Sequence, residues 1–281
     1  MYSGSMVHAN AEEGLVAEHP GRYGVTPPQE IAPGVHYAEV GKGIQRSNVF
    51  FTGTGSSWSL VDTGSAGCAP SITRAAESLF GHGRPPEAVF LTHHHPDHTG
   101  SVRELAELWE CPFWVHPDEL PLTRGELPTV RRYANPLDRW IILPLLRLYG
   151  SRRAEEVVAR SSLEDVVRAL DPTAQLPGLP GWEPIPTPGH TPGHVAFFRG
   201  DDKVLLTGDA LVTVLLNSWR GLLPGRQDIS RPPWYTTWDW EVAKRSVGVL
   251  ADLEPRVLAG GHGRPLVGAD TAARVRALAD S

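Results

Sequence analysis

The residues with the most chemistry in them are neighbours. His93-His94-His95-Pro96-Asp97-His98 reads as H-x-H-x-D-H and puts three imidazoles and a carboxylate on one tight turn. Along extended backbone alternate side chains point the same way, so His93 and His95 can chelate one ion together. Asp97 and His98, past the bend at Pro96, can face a second ion. Neutral imidazole and carboxylate suit zinc, iron and similar divalent ions. Four further residues each sit in a glycine-rich turn that ends an apolar run. They are Asp62 in Val61-Asp-Thr-Gly64, His190 in Thr187-Pro-Gly-His-Thr-Pro-Gly-His194, Asp209 in Leu205-Leu-Thr-Gly-Asp209, and His262 in Leu258-Ala-Gly-Gly-His-Gly263. Taken singly, each reads as an ordinary turn residue; their order along the chain is what makes a pattern.

Such turns need strands to aim them. Val35–Val40, Asn48–Phe51 and Ser57–Val61 carry strand-like texture, and Ala88–Leu91 is a short, wholly apolar run that leads straight into the histidine turn, as a buried strand would. Phe113–Val115, Trp182–Pro186, Val195–Phe198, Lys203–Leu206 and Arg256–Ala259 read as further strands. Helical spacing marks Pro70–Phe80, Ser101–Trp109, Ala154–Leu170, Thr237–Leu253 and Thr271–Ala279. Residues 118–178 differ in texture. They carry Pro121, Pro128, Pro136 and Pro144 among amphipathic pieces, and predict a helical insertion on a β-rich scaffold. Residues 1–25 are polar and aperiodic and predict a disordered tail; residues 26–281 predict one domain.

The chain has 281 residues, with 26 Lys+Arg against 32 Asp+Glu and a net charge of -6. That excludes the basic footprint of a nucleic-acid binder. Two cysteines cannot build a disulfide framework and suit a reducing compartment. No positively charged start followed by an apolar stretch is visible, and Trp140–Tyr149, the most apolar run, is too short for a membrane span. The expectation is a cytoplasmic protein with a small-molecule substrate, no nucleic-acid or membrane partner, and a homodimer as an alternative use of its apolar surface.

Together, Asp62, the H-x-H-x-D-H turn, His190, Asp209 and His262 resemble the five-part signature of the metallo-β-lactamase superfamily, over about residues 35–265. The resemblance implies an α/β fold, a four-layer αββα sandwich carrying the helical insertion. It implies that His93, His95 and His190 hold one ion, that Asp97, His98 and His262 hold another, and that Asp209 bridges them. Asp62 would orient a histidine by hydrogen bonding. The implied cofactor is two divalent ions, zinc first, with iron or manganese as alternatives. The implied chemistry is attack of a metal-bridging hydroxide on a carbonyl carbon, with Asp97 steering it or passing a proton to the leaving group.

Within the superfamily, a flavodoxin-bearing member lacks residues here, and a nuclease lacks the basic surface. The acyl-homoserine lactonases carry a tyrosine where this chain has Val212. The glyoxalase II-like enzymes carry basic residues where Asp209–Asn217 is mostly apolar. What remains is an ester, thioester or lactone hydrolase of a fairly apolar substrate. The alternatives are a one-iron persulfide dioxygenase and a metal-containing binding protein without turnover. Trp140 and Tyr149 of an apolar cap, Arg220 and His194 are the candidate substrate contacts, although His194 reads more readily as a packing residue.

Overall fold

Alternation along the strands serves two cores at once. Between Ser47 and Val61, Phe51, Trp58 and Leu60 join one cluster while Phe50 and Val61 join another. Period-two patterning of this kind, apolar on both faces, requires a sheet covered on both sides.

The computed structural model describes residues 26–54, 57–148, 162–171, 173–215, 217 and 227–281. The predicted tail, residues 1–25, lies outside them, as do Tyr149 and Arg220. The first sheet runs in chain order: β1 (Gln29–Ala32), β2 (Val35–Val40), β3 (Ser47–Thr54), β4 (Ser57–Val61), β5 (Val89–Phe90), β6 (Phe113–Val115) and β7 (Val167–Ala169). It is antiparallel up to β4 and parallel from β4 to β7. The second sheet contains β8 (Trp182–Pro186), β9 (Val195–Arg199) and β10 (Val204–Gly208). A separate hairpin follows, β11 (Val212–Val214) with β12 (Gln227–Ser230). The chain then returns to the second sheet with β13 (Val257–Gly260) and β14 (Leu266–Val267). Its strand order is β14-β13-β10-β9-β8, and β10 and β13 run parallel.

Three cores separate four layers. Helices α1 (Ala69–Phe80), α2 (Pro96–Thr99) and α3 (Val102–Leu108) follow β4 and β5. Ile72 and Phe80 of α1 and Leu105 of α3 pack on Phe51, Trp58 and Leu60. Between the sheets, Tyr37, Phe50, Val61 and Phe90 meet Val195, Phe197, Val204 and Leu206. On the far side, Ala196, Phe198 and Leu205 face helices α7 (Trp240–Asp252) and α8 (Thr271–Ala279) through Val247, Leu250 and Val275. This is the αββα sandwich. Cys68 and Cys111 are both free thiols; Cys68 is buried in the first core and Cys111 is half-buried against it. Among the described residues no helix is long and apolar enough to cross a membrane.

After β6 the chain leaves the sandwich through α4 (Leu120–Thr123), α5 (Leu127–Arg132), a π-helical turn at Asp138–Ile142 and α6 (Leu143–Leu148). The predicted helix Ala154–Leu170 needs correction. Residues 154–161 lie outside the described ones, and Val167–Ala169 is a strand that pairs in parallel with β6, Phe113 opposite Val167. Leu170 N also donates to Val115 O at 2.7 Å. Val167 and Leu170 are buried by that pairing, so the edge of the sheet overrides a local helical spacing.

Candidate metal centre

Parallel strands end together, and that is how the sequence gathers its ligands. Asp62 follows β4 and the histidine turn follows β5. In the second sheet Asp209 follows β10 and His262 follows β13. Carboxyl ends of adjacent parallel strands are the usual place for a ligand site. His190 arrives from the β8–β9 loop, fastened where Trp238 N donates to His190 O at 3.1 Å and Asp239 N donates to Gly189 O at 2.9 Å. Asp239 in turn caps α7, accepting from Val242 N at 3.0 Å.

All seven side chains converge. Among the described residues three groups of three donors form, His93 with His95 and His190, Asp97 with His98 and His262, and His93 with His98 and Asp209; in each the donor atoms lie within 4.8 Å of one another, and the first two share no residue. Asp209 stands between them. Its Oδ2 is 3.5 Å from His190 Nε2 and 3.3 Å from His262 Nε2, and its Oδ1 is 3.4 Å from His98 Nε2. In the first group His95 Nδ1 and His190 Nε2 approach to 3.0 Å. In the second, Asp97 Oδ2 is 3.3 Å from His262 Nε2. Gly261 makes the closeness possible: a Cβ there would collide with Asp209 Oδ1 and His98 Cε1.

The Nδ1 atoms of His93, His98, His190 and His262 have partners of their own, which orients these four rings. His98 Nδ1 donates to Asp62 Oδ2 at 2.8 Å, and His262 Nδ1 donates to Arg46 O at 2.7 Å. His190 Nδ1 lies 3.3 Å from Thr237 Oγ1. His93 Nδ1 donates to Thr92 Oγ1 at 3.0 Å, and that hydroxyl donates onward to Asp62 Oδ2 at 2.9 Å. Asp62 also accepts from Thr92 N at 2.8 Å. This buried carboxylate therefore holds two histidines, one directly and one through Thr92, and it does so at a backbone φ of 62 that few residues other than glycine tolerate.

The donor set fits a pair of metal ions. His93 Nε2, His98 Nε2 and Asp209 Oδ1 are buried and have no hydrogen-bond partner among the described residues. Orphaned polar atoms are costly unless something else satisfies them. Here they point at one another from both donor groups, and neutral imidazole with carboxylate is a divalent-metal donor set.

The two groups differ electrostatically. Burial and the neighbouring imidazoles push His93 and His190 well below the usual histidine range, and burial with His94 takes His95 to about 3. For His98 and His262 burial acts in the same direction, but carboxylates outweigh it. Asp62, Asp209 and Asp97 raise His98, and Asp209 with Asp97 raises His262 to about 10. Asp97, in contact with His98 and His262, stays ionised far below the usual carboxylate range despite its burial.

A pH prediction follows from that contrast. In metal-stripped protein at neutral pH, zinc entering the Asp97–His98–His262 group must displace protons, whereas the His93–His95–His190 group has none to lose. Affinity of the carboxylate-flanked group is expected to rise by about tenfold per pH unit for each proton displaced, up to about pH 10, with the other group nearly flat above neutrality. Zinc titrations at several pH values, with proton release followed by an indicator dye, check this. Two equal pH slopes would contradict it.

The proposed substrate contacts fare unevenly. His194 is 1% exposed; it donates from Nδ1 to Thr187 Oγ1 at 2.7 Å, and its Nε2 accepts from Asp209 N at 3.0 Å, so neither nitrogen is left for a substrate. It holds the backbone of Asp209 instead. Trp140 is exposed, on the π-helical turn. Residues that sequence reasoning passed over also matter. Asn48 at the start of β3 is fully buried and donates from Nδ2 to Gly260 O at 2.8 Å and to Gly263 O at 2.6 Å, across to the other sheet. Glu119, at the head of the insertion, is fully buried against the histidine turn. Neither carries a local signal, because each acts across more than twenty residues of chain. Tyr235 carries a phenol raised above its usual range by burial, then by Asp209 and Asp97, which places it within electrostatic reach of the centre.

Comparison with known proteins agrees with this geometry. The family pattern described as the metallo-beta-lactamase superfamily matches residues 43–262. The probable metallo-hydrolase YflN of Bacillus subtilis (strain 168) is 36% identical over 244 residues, covering 85% of this chain and 87% of that protein. Among solved structures, the metallo-beta-lactamase family protein TTHA1429 from Thermus thermophilus superposes with a TM-score of 0.58 at 23% identity, covering 89% of this chain and 80% of that one. TTHA1623, in a di-iron-bound form, superposes at 0.51 with 26% identity, covering 83% of this chain and 96% of that one.

Proposed function

This chain belongs to the metallo-beta-lactamase superfamily, and from that premise we propose that it is a metallo-hydrolase holding two divalent ions, zinc first, that cleaves the ester, thioester or lactone carbonyl of a fairly apolar small molecule. One observation carries the reading: two disjoint three-donor groups face a single carboxylate, Asp209. His93, His95 and His190 would hold one ion, Asp97, His98 and His262 the other, and Asp209 would serve both. When bound, such ions supply Lewis acidity toward a carbonyl oxygen and lower the pKa of a water.

The chain's own groups supply the rest. Asp97 is the carboxylate of the centre with an exposed face, 26% against 5% for Asp209. Held ionised, its carboxylate can take a proton from water and return it to the leaving group. Asp62, Thr92, Thr237 and the Arg46 carbonyl engage Nδ1 of four histidines and so turn their Nε2 atoms inward. The insertion reaches the rim of the centre, where Tyr133 meets Trp238 edge-on at 4.9 Å, next to the His190 loop. Beyond it, Trp140, Ile141, Leu145 and Leu148 are exposed, an apolar surface suited to an acyl or aromatic group.

Elemental analysis combined with turnover on an ester, thioester and lactone panel tests the reading. Two ions with hydrolysis supports it. A single iron with oxygen consumption would replace it with a persulfide dioxygenase-like activity, and two ions without turnover would leave a metal-containing binding protein.

The insertion gives its own prediction. Shaving Trp140, Ile141 or Leu145 is expected to weaken long or aromatic acyl substrates by about 25 cal/mol per Å² of lost contact and to spare short ones, with metal content unchanged. Steady-state kinetics on an acyl-length series measures this. A uniform drop across chain lengths, with a lower Tm, would make these residues core rather than cap.

A further inference from the structure

Two buried polar side chains outside the ligand set each hydrogen-bond beside a different donor group. Glu119 stands at the start of α4, on the insertion. Its Oε2 accepts from His94 N at 2.9 Å and from His94 Nδ1 at 2.6 Å, and its Oε1 accepts from Gly193 N at 2.7 Å. His94 lies between His93 and His95; Gly193 lies three residues after His190. One fully buried carboxylate thus ties the two segments that carry His93, His95 and His190. The fit is close, since a Cβ on Gly193 would sit 2.9 Å from both Glu119 N and His116 Nδ1.

The opposite donor group has a different fastening. Asn48 Nδ2 donates to the carbonyls of Gly260 and Gly263 on either side of His262, and Gly261 O accepts from Asn48 N at 2.7 Å. The adjacent Ser47 Oγ donates to Asp97 O at 2.6 Å. β3 therefore holds the turns bearing Asp97 and His262, on two different sheets. Glu119 bonds directly beside His93, His95 and His190, and Asn48 directly beside His262, while the turn that Glu119 holds continues into Asp97 and His98.

We propose that Glu119 and Asn48 are positioning residues that set the affinities of the two metal positions separately, Glu119 for His93–His95–His190 and Asn48 for Asp97–His98–His262. The proposal rests on the two-ion reading above. An ion gains affinity when its donors are held in place before it arrives, because the cost of ordering the loops has been met by folding. Glu119 also makes the seating of the insertion and the shape of one donor group a single event, since the same residue begins α4.

The test is a zinc titration of metal-stripped protein against a chromophoric chelator, resolving two dissociation constants. His190→Ala and His262→Ala identify which constant belongs to which group. Glu119→Gln keeps the side chain's shape but leaves one acceptor oxygen where the carboxylate has two, so it cannot accept from His94 and Gly193 together; it is expected to weaken the His190-linked constant by about 10–100-fold, the usual size for partners that orient ligands, and to leave the other within about threefold. Asn48→Ala is expected to do the reverse. Gly193→Ala, which pushes the same loops apart without touching the carboxylate, should reproduce the selectivity of Glu119→Gln. Glu119→Asp serves if Glu119→Gln fails to fold, as judged by the Tm of the metal-stripped protein. Loss of both constants together, or of neither, in folded variants would overturn the proposal while leaving the two-ion reading intact. A wild-type protein that binds one zinc would overturn both.

Discussion

Asp209→Ala is expected to lower turnover by about a thousandfold or more, well beyond the loss caused by removing Asp62. Asp209 is the carboxylate within 3.5 Å of histidines from both donor groups, through Oδ2 to His190 and His262 and through Oδ1 to His98. Its removal deprives both proposed ions of a shared ligand, and electrostatic stabilisation by such ions is worth several kcal/mol; about 4 kcal/mol corresponds to about three decades in rate. It also removes the largest opposing charge at His262, so the proton held there in metal-stripped protein is expected to leave at a lower pH than in the wild type.

Among the described residues the Asp62 carboxylate hydrogen-bonds to Thr92 and His98. Losses from ligand-orienting partners run at about 10–100-fold. The comparison must use Asp62→Asn beside Asp62→Ala, because alanine leaves buried Thr92 N without an acceptor and lowers stability as well as activity. Kinetics at matched metal occupancy decide the matter, and equal losses at Asp209 and Asp62 would contradict the bridging role.

The second large effect concerns stoichiometry. Intact protein saturated with metal is expected to hold close to two ions per chain, and His262→Ala close to one. His262 belongs to the Asp97–His98–His262 group and to no other. Without it, the second ion would keep Asp97, His98 and a share of Asp209, and His98 is raised well above the usual histidine range by the three surrounding carboxylates. One carboxylate of its own, a protonated imidazole and a carboxylate shared with the other ion hold a metal poorly. The His93–His95–His190 group is untouched and its imidazoles remain neutral. Elemental analysis of the wild type showing one ion at saturation would sink the two-ion reading.

Much of this was legible in the chain before any fold was drawn. The strands Val35–Val40, Ser57–Val61, Phe113–Val115 and Trp182–Pro186 and the helix Thr271–Ala279 have the bounds that periodicity assigned them, because alternation and helical spacing are local properties. So is the turn at His93–His98: its donors are neighbours in sequence, and an extended strand end leaves them little freedom about where to point. Asp62, His190, Asp209 and His262 were readable as a set only through their order and their place at the ends of apolar runs.

What only the tertiary structure decided lies at long range. Whether Phe50 faces the other sheet and Phe51 the helices depends on which layers stack, not on the strand itself. β7 exists because β6 offers an open edge to Val167, against the helical texture of its own residues. Asp62 holds His98 across 36 residues, Glu119 reaches Gly193 across 74, and Asn48 reaches Gly260 across 212. A buried hydrogen bond is a statement about two places at once. Composition and spacing describe one place at a time, so the chain by itself determined which donor side chains could be brought together, and folding decided which others hold them still.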